Sequence, residues 1–70
     1  MAMKEQKNTV YCVKVTIWQD GFLKEVVSKE FFKTEKDAEV VYNGYEQEGT
    51  KVLLSKYVDG NERQLKSKIN

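Results

Sequence analysis

Residues 9–21, TVYCVKVTIWQDG, carry the strongest structural signal in the chain. Val10, Tyr11, Val13, Val15, Thr16, Ile17 and Trp18 are β-branched or aromatic, the types that suit a pleated, half-buried surface. A strand from Thr9 to Gln19 places Tyr11, Val13, Val15 and Ile17 on one face. Val10, Cys12, Lys14, Thr16 and Trp18 fall on the other. Both faces are partly apolar, which marks a central strand with a neighbour on each side. Asp20-Gly21 then gives a strong hairpin signal, because a type I′ turn needs positive φ at both central residues.

Beyond that turn a second strand runs from Phe22 to about Lys33. A two-residue loop sets Val26 across from Val15. A three-residue loop with a bulge sets Val27 there and Phe31 across from Tyr11, and it is the better choice because it gathers apolar side chains on one face. Thr34 is a good N-cap, and Glu35 and Asp37 supply the negative charge that the start of a helix favours. The helix is expected to run to about Glu48, with Ala38, Val41, Tyr42 and Tyr45 as its apolar stripe and Gly49 as the left-handed residue after it. Gly44 then falls mid-helix, which close approach to the sheet would explain. Lys51 to Val58 reads as a third strand, with Val52 and Leu54 on one face and Leu53 and Tyr57 on the other. Asp59-Gly60-Asn61 is a turn. Residues 62–70 fit an edge strand, a frayed tail or a short helix, since Leu65 and Ile69 also share a helical face.

These segments give an α+β domain with the order ββαββ. Its sheet is antiparallel and four-stranded, with spatial order 2-1-3-4. One helix crosses one face, packing its stripe on Tyr11, Val13, Val15 and Ile17. Residues 1–8 are expected to be a disordered tail, and residues 9–70 one domain. At seventy residues only about 60% of the unfolded surface is buried on folding, so stability is marginal. A single cysteine makes no internal disulfide, and with no histidine no zinc set can be assembled. Efficient packing or a second copy of the chain must compensate.

Net charge is +1, from 12 basic and 11 acidic residues, so the overall charge steers toward neither nucleic acid nor membrane. Its distribution is uneven. Glu35, Asp37, Glu39, Glu46 and Glu48 load the helical segment, whereas Arg63, Lys66 and Lys68 follow Glu62 without a further acid. No apolar run is long enough to span a membrane. A lone thiol and a polar beginning point to the cytoplasm.

Catalysis is not expected. The usual general base is missing with histidine, Cys12 lies within a strand with nothing to activate it, and no glycine-rich phosphate loop occurs. No cofactor or metal is expected either. The open sheet face is the candidate for function, with Trp18, Val10, Lys14, Thr16, Leu53 and Tyr57 as binding residues. Trp18 either anchors a partner or shields the hairpin backbone. A protein partner or a second copy, giving a homodimer, would meet this apolar face. The alternative is nucleic acid, stacked on the aromatics with Lys14, Lys24, Lys56, Lys66 and Lys68 on its phosphates.

One segment, Phe32-Lys33-Thr34-Glu35-Lys36-Asp37-Ala38-Glu39 after the Asp20-Gly21 hairpin, resembles the strand-to-helix junction of the arm-binding domains of tyrosine-type phage integrases. That resemblance implies a small sheet with one helix, and a sheet that contacts DNA. This chain differs in continuing with a second β segment after the helix and in having few bases on the sheet. Its length, its lysine- and glutamate-rich character and its hairpin-helix-hairpin plan also resemble small accessory proteins of bacteriophages and prophages of Gram-positive hosts. That second resemblance implies a stand-alone binder that inhibits or redirects a host protein.

Overall fold

The computed structural model describes residues 8–70, so the tail expected over residues 1–8 lies, except for Asn8, outside the described residues. Five elements follow in order: β1 (Thr9–Gln19), β2 (Phe22–Phe32), α1 (Glu35–Gly44), β3 (Thr50–Val58) and β4 (Asn61–Ile69). The strands form one sheet of order β2-β1-β3-β4, antiparallel throughout. The ββαββ plan and the strand order are as the alternation implied, and residues 61–69 form an edge strand. The backbone of Asn8 exchanges hydrogen bonds with Asp59, its N–H reaching the carboxylate at 3.2 Å and its carbonyl accepting from the Asp59 N–H at 2.9 Å.

Both hairpins turn on Asp-Gly. Asp20 and Gly21 have φ of 55° and 83°, and Asp59 and Gly60 have 52° and 86°. Such primed turns match the right-handed twist of the strands they join.

Neither register considered for the β1–β2 hairpin is correct. The loop has two residues, Gln19 facing Phe22, but two irregularities then displace the pairing. Lys24 and Val27 are left without partners, so Val15 faces Ser28 and Tyr11 faces Phe32. Each bulge inserts a residue and strengthens the local twist. Phe31 therefore stands opposite Cys12 rather than Tyr11. A third irregularity, between Leu54 and Ser55, leaves Leu65 of β4 unpaired.

The helix is shorter than its stripe suggested. Thr34 caps it as expected, its hydroxyl accepting from the Asp37 N–H at 3.2 Å. It ends at Gly44, and Tyr45 is already extended, with φ −90° and ψ 115°. Asn43 and Gly44 are poor helix formers, and no apolar residue after Tyr45 rewards another turn. Gly44 is thus a terminal residue, and a Cβ there would meet open space, so close approach to the sheet does not explain it. Gly49 has the expected positive φ, 83°, but in the turn before β3. That turn is pinned: the Gly49 carbonyl accepts from the Trp18 N–H, and its N–H donates to the Asn70 carbonyl. The Asn70 side chain donates to the Tyr45 carbonyl and the Thr50 hydroxyl, each at 3.1 Å.

The core is Val13, Val15, Val52, Leu54, Ala38 and Tyr42, with Tyr11, Phe32, Val41 and Tyr45 at its margin. β1 and β3 supply the sheet side of it almost alone. A ten-residue helix reaches only about 15 Å, so Ile17, expected beneath it, lies outside the cluster. β2 is exposed along its whole length except at Phe32.

Candidate binding face

The sheet has two different faces. On the helix side β4 presents Lys66 opposite Leu54 and Lys68 opposite Val52. Lys66 pairs with Glu39 at 3.1 Å, and Lys68 donates to the Asn43 carbonyl at 3.4 Å. Both ammonium groups approach the Tyr42 ring, at 5.7 and 5.1 Å. Lys56 faces Tyr11 on the same side, 6.0 Å from its ring. Lys56, Lys66 and Lys68, counted above as contacts for phosphate on the open face, are turned to the helix side instead.

No described element covers the opposite face. Alternation along β1 puts Val10, Cys12, Lys14, Thr16 and Trp18 there, as expected, and the β1–β3 register sets Leu53 beside Lys14 and Tyr57 beside Val10. Of the six expected binding residues, five are half-buried and Thr16 is buried. Thr16 lies under Trp18: its hydroxyl donates to the Lys51 carbonyl at 3.0 Å and accepts from the Trp18 indole N–H at 2.8 Å. The Lys51 ammonium sits 4.6 Å from the Trp18 ring, within cation–π range. Trp18 thus has its polar atom satisfied and one ring face occupied. Thr16 holds that arrangement and offers no surface of its own.

β2 adds side chains that the sequence reading did not place here. Leu23 faces Trp18, Val26 faces Thr16, Lys29 faces Lys14 and Phe31 faces Cys12. Leu23, Val26 and Phe31 are 52%, 50% and 53% exposed, and Ile69, beside Lys51, is 72% exposed. Phe31 leans across the strand toward Tyr57, their rings tilted with centroids 5.8 Å apart. The signal for these positions was present in the apolar letters of β2. The bulges that bring Val26 to this face and set the β1 partners of Lys29 and Phe31 were not.

Cys12, facing Phe31 within this part of the face, is fully buried. Burial pushes its thiol up, against the opposing pull of Lys29 and Lys14, while Glu62 adds to the rise. A thiol held protonated is a poor nucleophile. Burial likewise raises the Tyr57 phenol, reinforced by the Glu62 carboxylate. Glu62 itself accepts from the Ser55 hydroxyl at 2.9 Å. Among the described residues there is no cavity, and no three of histidine, cysteine, aspartate and glutamate come together as metal ligands. No helix among them is long and apolar enough to cross a membrane. The face therefore presents apolar side chains, aromatic rings and lysines together on an open surface without a cavity among the described residues.

No protein-family model, curated protein or solved structure matches the chain.

Proposed function

We propose that this chain is a non-catalytic binding protein whose open sheet face docks on another protein. The observation that carries the reading is the set Leu23, Val26, Phe31 and Ile69, each at least half exposed on a face that no described element covers. Large apolar side chains left exposed on one face are costly on a small monomer and mark interaction sites. Here it is joined by Trp18, Leu53 and Tyr57, half-buried residues of the types that supply the fixed centre of an interface. Burying the patch would also add apolar contact that the short helix leaves unmade. Inhibition of the protein so bound, as in the phage accessory proteins that the chain resembles, is one form such docking takes.

The reading is tested by Phe31→Ser and Val26→Ser, singly and together. Both side chains are solvent-exposed, so circular dichroism and melting should stay near those of the parent. Affinity purification from cells with mass spectrometry should recover a partner on the parent and lose it on the double variant. Retention of the same partner by a folded double variant would sink the proposal.

Nucleic acid is a second reading, favoured by one observation: Lys14 and Lys29 share the face with Phe31, Tyr57 and Trp18. Counterion release makes such binding steeply salt-dependent, so a gel shift at low and moderate salt separates the two readings. The engagement of Lys66 and Lys68 on the helix side weighs for protein.

A further inference from the structure

If the open face is a docking site, the charges on it say what docks there. Lys14 and Lys29 are direct cross-strand partners in the β1–β2 ladder. Like charges so placed are destabilising; Lys29 has the Phe31 ring at 5.8 Å, but among the described residues no carboxylate pairs with either ammonium group. The neighbour of Lys14 on the other side is Leu53. Along the strands the adjoining pairs are Cys12 with Phe31 and Thr16 with Val26. Among the described residues the carboxylate on this face is Glu62 of β4, which stands opposite Tyr57 and is occupied by Ser55. The fold does place other lysines: Lys66 on Glu39 and Lys68 on the Asn43 carbonyl on the helix side, and Lys51 on the Trp18 ring on this one.

We infer that the partner is an acidic, apolar polypeptide segment whose carboxylate sits on the Lys14–Lys29 pair while its flanking apolar side chains take the Phe31–Tyr57 and Val26–Trp18 positions. The spacing supports an extended segment. Same-face residues along a strand recur about every 7 Å, so an apolar-basic-apolar sequence of rows on this face matches an apolar-acidic-apolar alternation on a strand-like partner. Nucleic acid fits less well, because one face of Trp18 is already covered by Lys51 and the flanking positions include the aliphatic Val26 and Leu23. A second copy docked by a twofold axis through the centre of the face would bring four ammonium groups together.

The probe is a short synthetic peptide alternating leucine or phenylalanine with polar residues, with glutamate at its central apolar-side position. A twin carries glutamine there, and oligothymidylate is the third ligand. Trp18, the single tryptophan, reports binding by fluorescence, and amide shifts in β1 and β2 report its location. The glutamate peptide should bind about tenfold more tightly than the glutamine peptide at low salt, the value of one charge-assisted contact. Lys14→Gln and Lys29→Gln should each erase that margin while remaining folded. Equal binding of the two peptides, abolished by Phe31→Ser, would overturn the carboxylate preference and leave the docking face standing. Failure of both peptides to bind, or tighter binding of oligothymidylate at the same amides, would overturn the inference outright.

Discussion

The opposed lysines predict that charge reversal at either position stabilises the domain, whatever it does to binding. Opposed Cβ atoms on one sheet face stand roughly 5 Å apart, so head groups splayed into water are about 7 Å apart. At water's dielectric constant that is about 0.6 kcal/mol of repulsion, cut to about 0.3 by screening in 0.1 M salt. Lys14→Glu turns this repulsion into a similar attraction, a gain of about 0.6 kcal/mol. For a domain of this size that raises Tm by roughly 2–5 °C. Lys29→Glu should gain less, because its ammonium also lies 5.8 Å from the Phe31 ring and that contact is lost. The double reversal puts two carboxylates opposite each other and should return close to the parent. The coupling free energy across the four proteins is then about 1 kcal/mol, and a double-mutant cycle isolates it from the unrelated effects of each substitution. Urea titration at low salt measures it, and repetition at 1 M salt, where the Debye length is about 3 Å, should remove most of it. A coupling near zero at low salt, or one indifferent to salt, would refute the charge argument and with it the premise of the acidic partner.

Gly44→Ala should stabilise the chain by about 0.5–1 kcal/mol, since Gly44 ends the helix without a positive φ and a Cβ there meets nothing. The urea midpoint should rise with an unchanged slope, and a fall would mean that Gly44 is needed for the exit into Tyr45. The Cys12 thiol gives a pH dependence with a definite sign. Burial raises it above its ordinary 9.0, so the unfolded chain ionises first and stability should fall as pH rises through and beyond about 9. The Tyr42 and Tyr57 phenols, also raised by burial from 10.0, extend the loss upward. Stability measured by urea titration should be flat near neutrality and decline in alkali, the early part of the decline disappearing in Cys12→Ala. A profile in which Cys12→Ala changes nothing between about pH 8 and 10 would contradict the assignment.

Local chemistry made most of the fold legible. Residues 9–19 alternate cleanly, both Asp-Gly pairs demand primed turns, and Thr34 needs only its own hydroxyl to start a helix. Strand order followed because β1 is the most apolar strand on both sides. What stayed hidden depends on long-range pairing. Which residues of β1 Phe31 and Phe32 stand opposite is set by the residues displaced at Lys24 and Val27, and a bulge leaves no composition mark in a strand rich in charged and β-branched residues alike. The end of α1 was misplaced because Tyr45 continues the apolar spacing although it packs on the core from extended backbone. On the candidate face, alternation supplied the β1 and β3 residues. It could not supply Lys29 opposite Lys14, which requires the register, or the covering of Thr16 by Trp18, which requires side-chain packing.

The junction between β1 and β3 has a consequence for how the molecule comes apart. Each hairpin closes locally on its own turn, but a lone two-stranded hairpin is at best marginal in water. Val13 and Val15 come from one hairpin, Val52 and Leu54 from the other, and Ala38 and Tyr42 from the segment between them. The two halves are therefore fastened along a single central seam. Amides within that seam should exchange with solvent only when the whole molecule opens, and those on the outer edges of β2 and β4 well before. Loosening an edge frays the protein; parting the seam dissolves it.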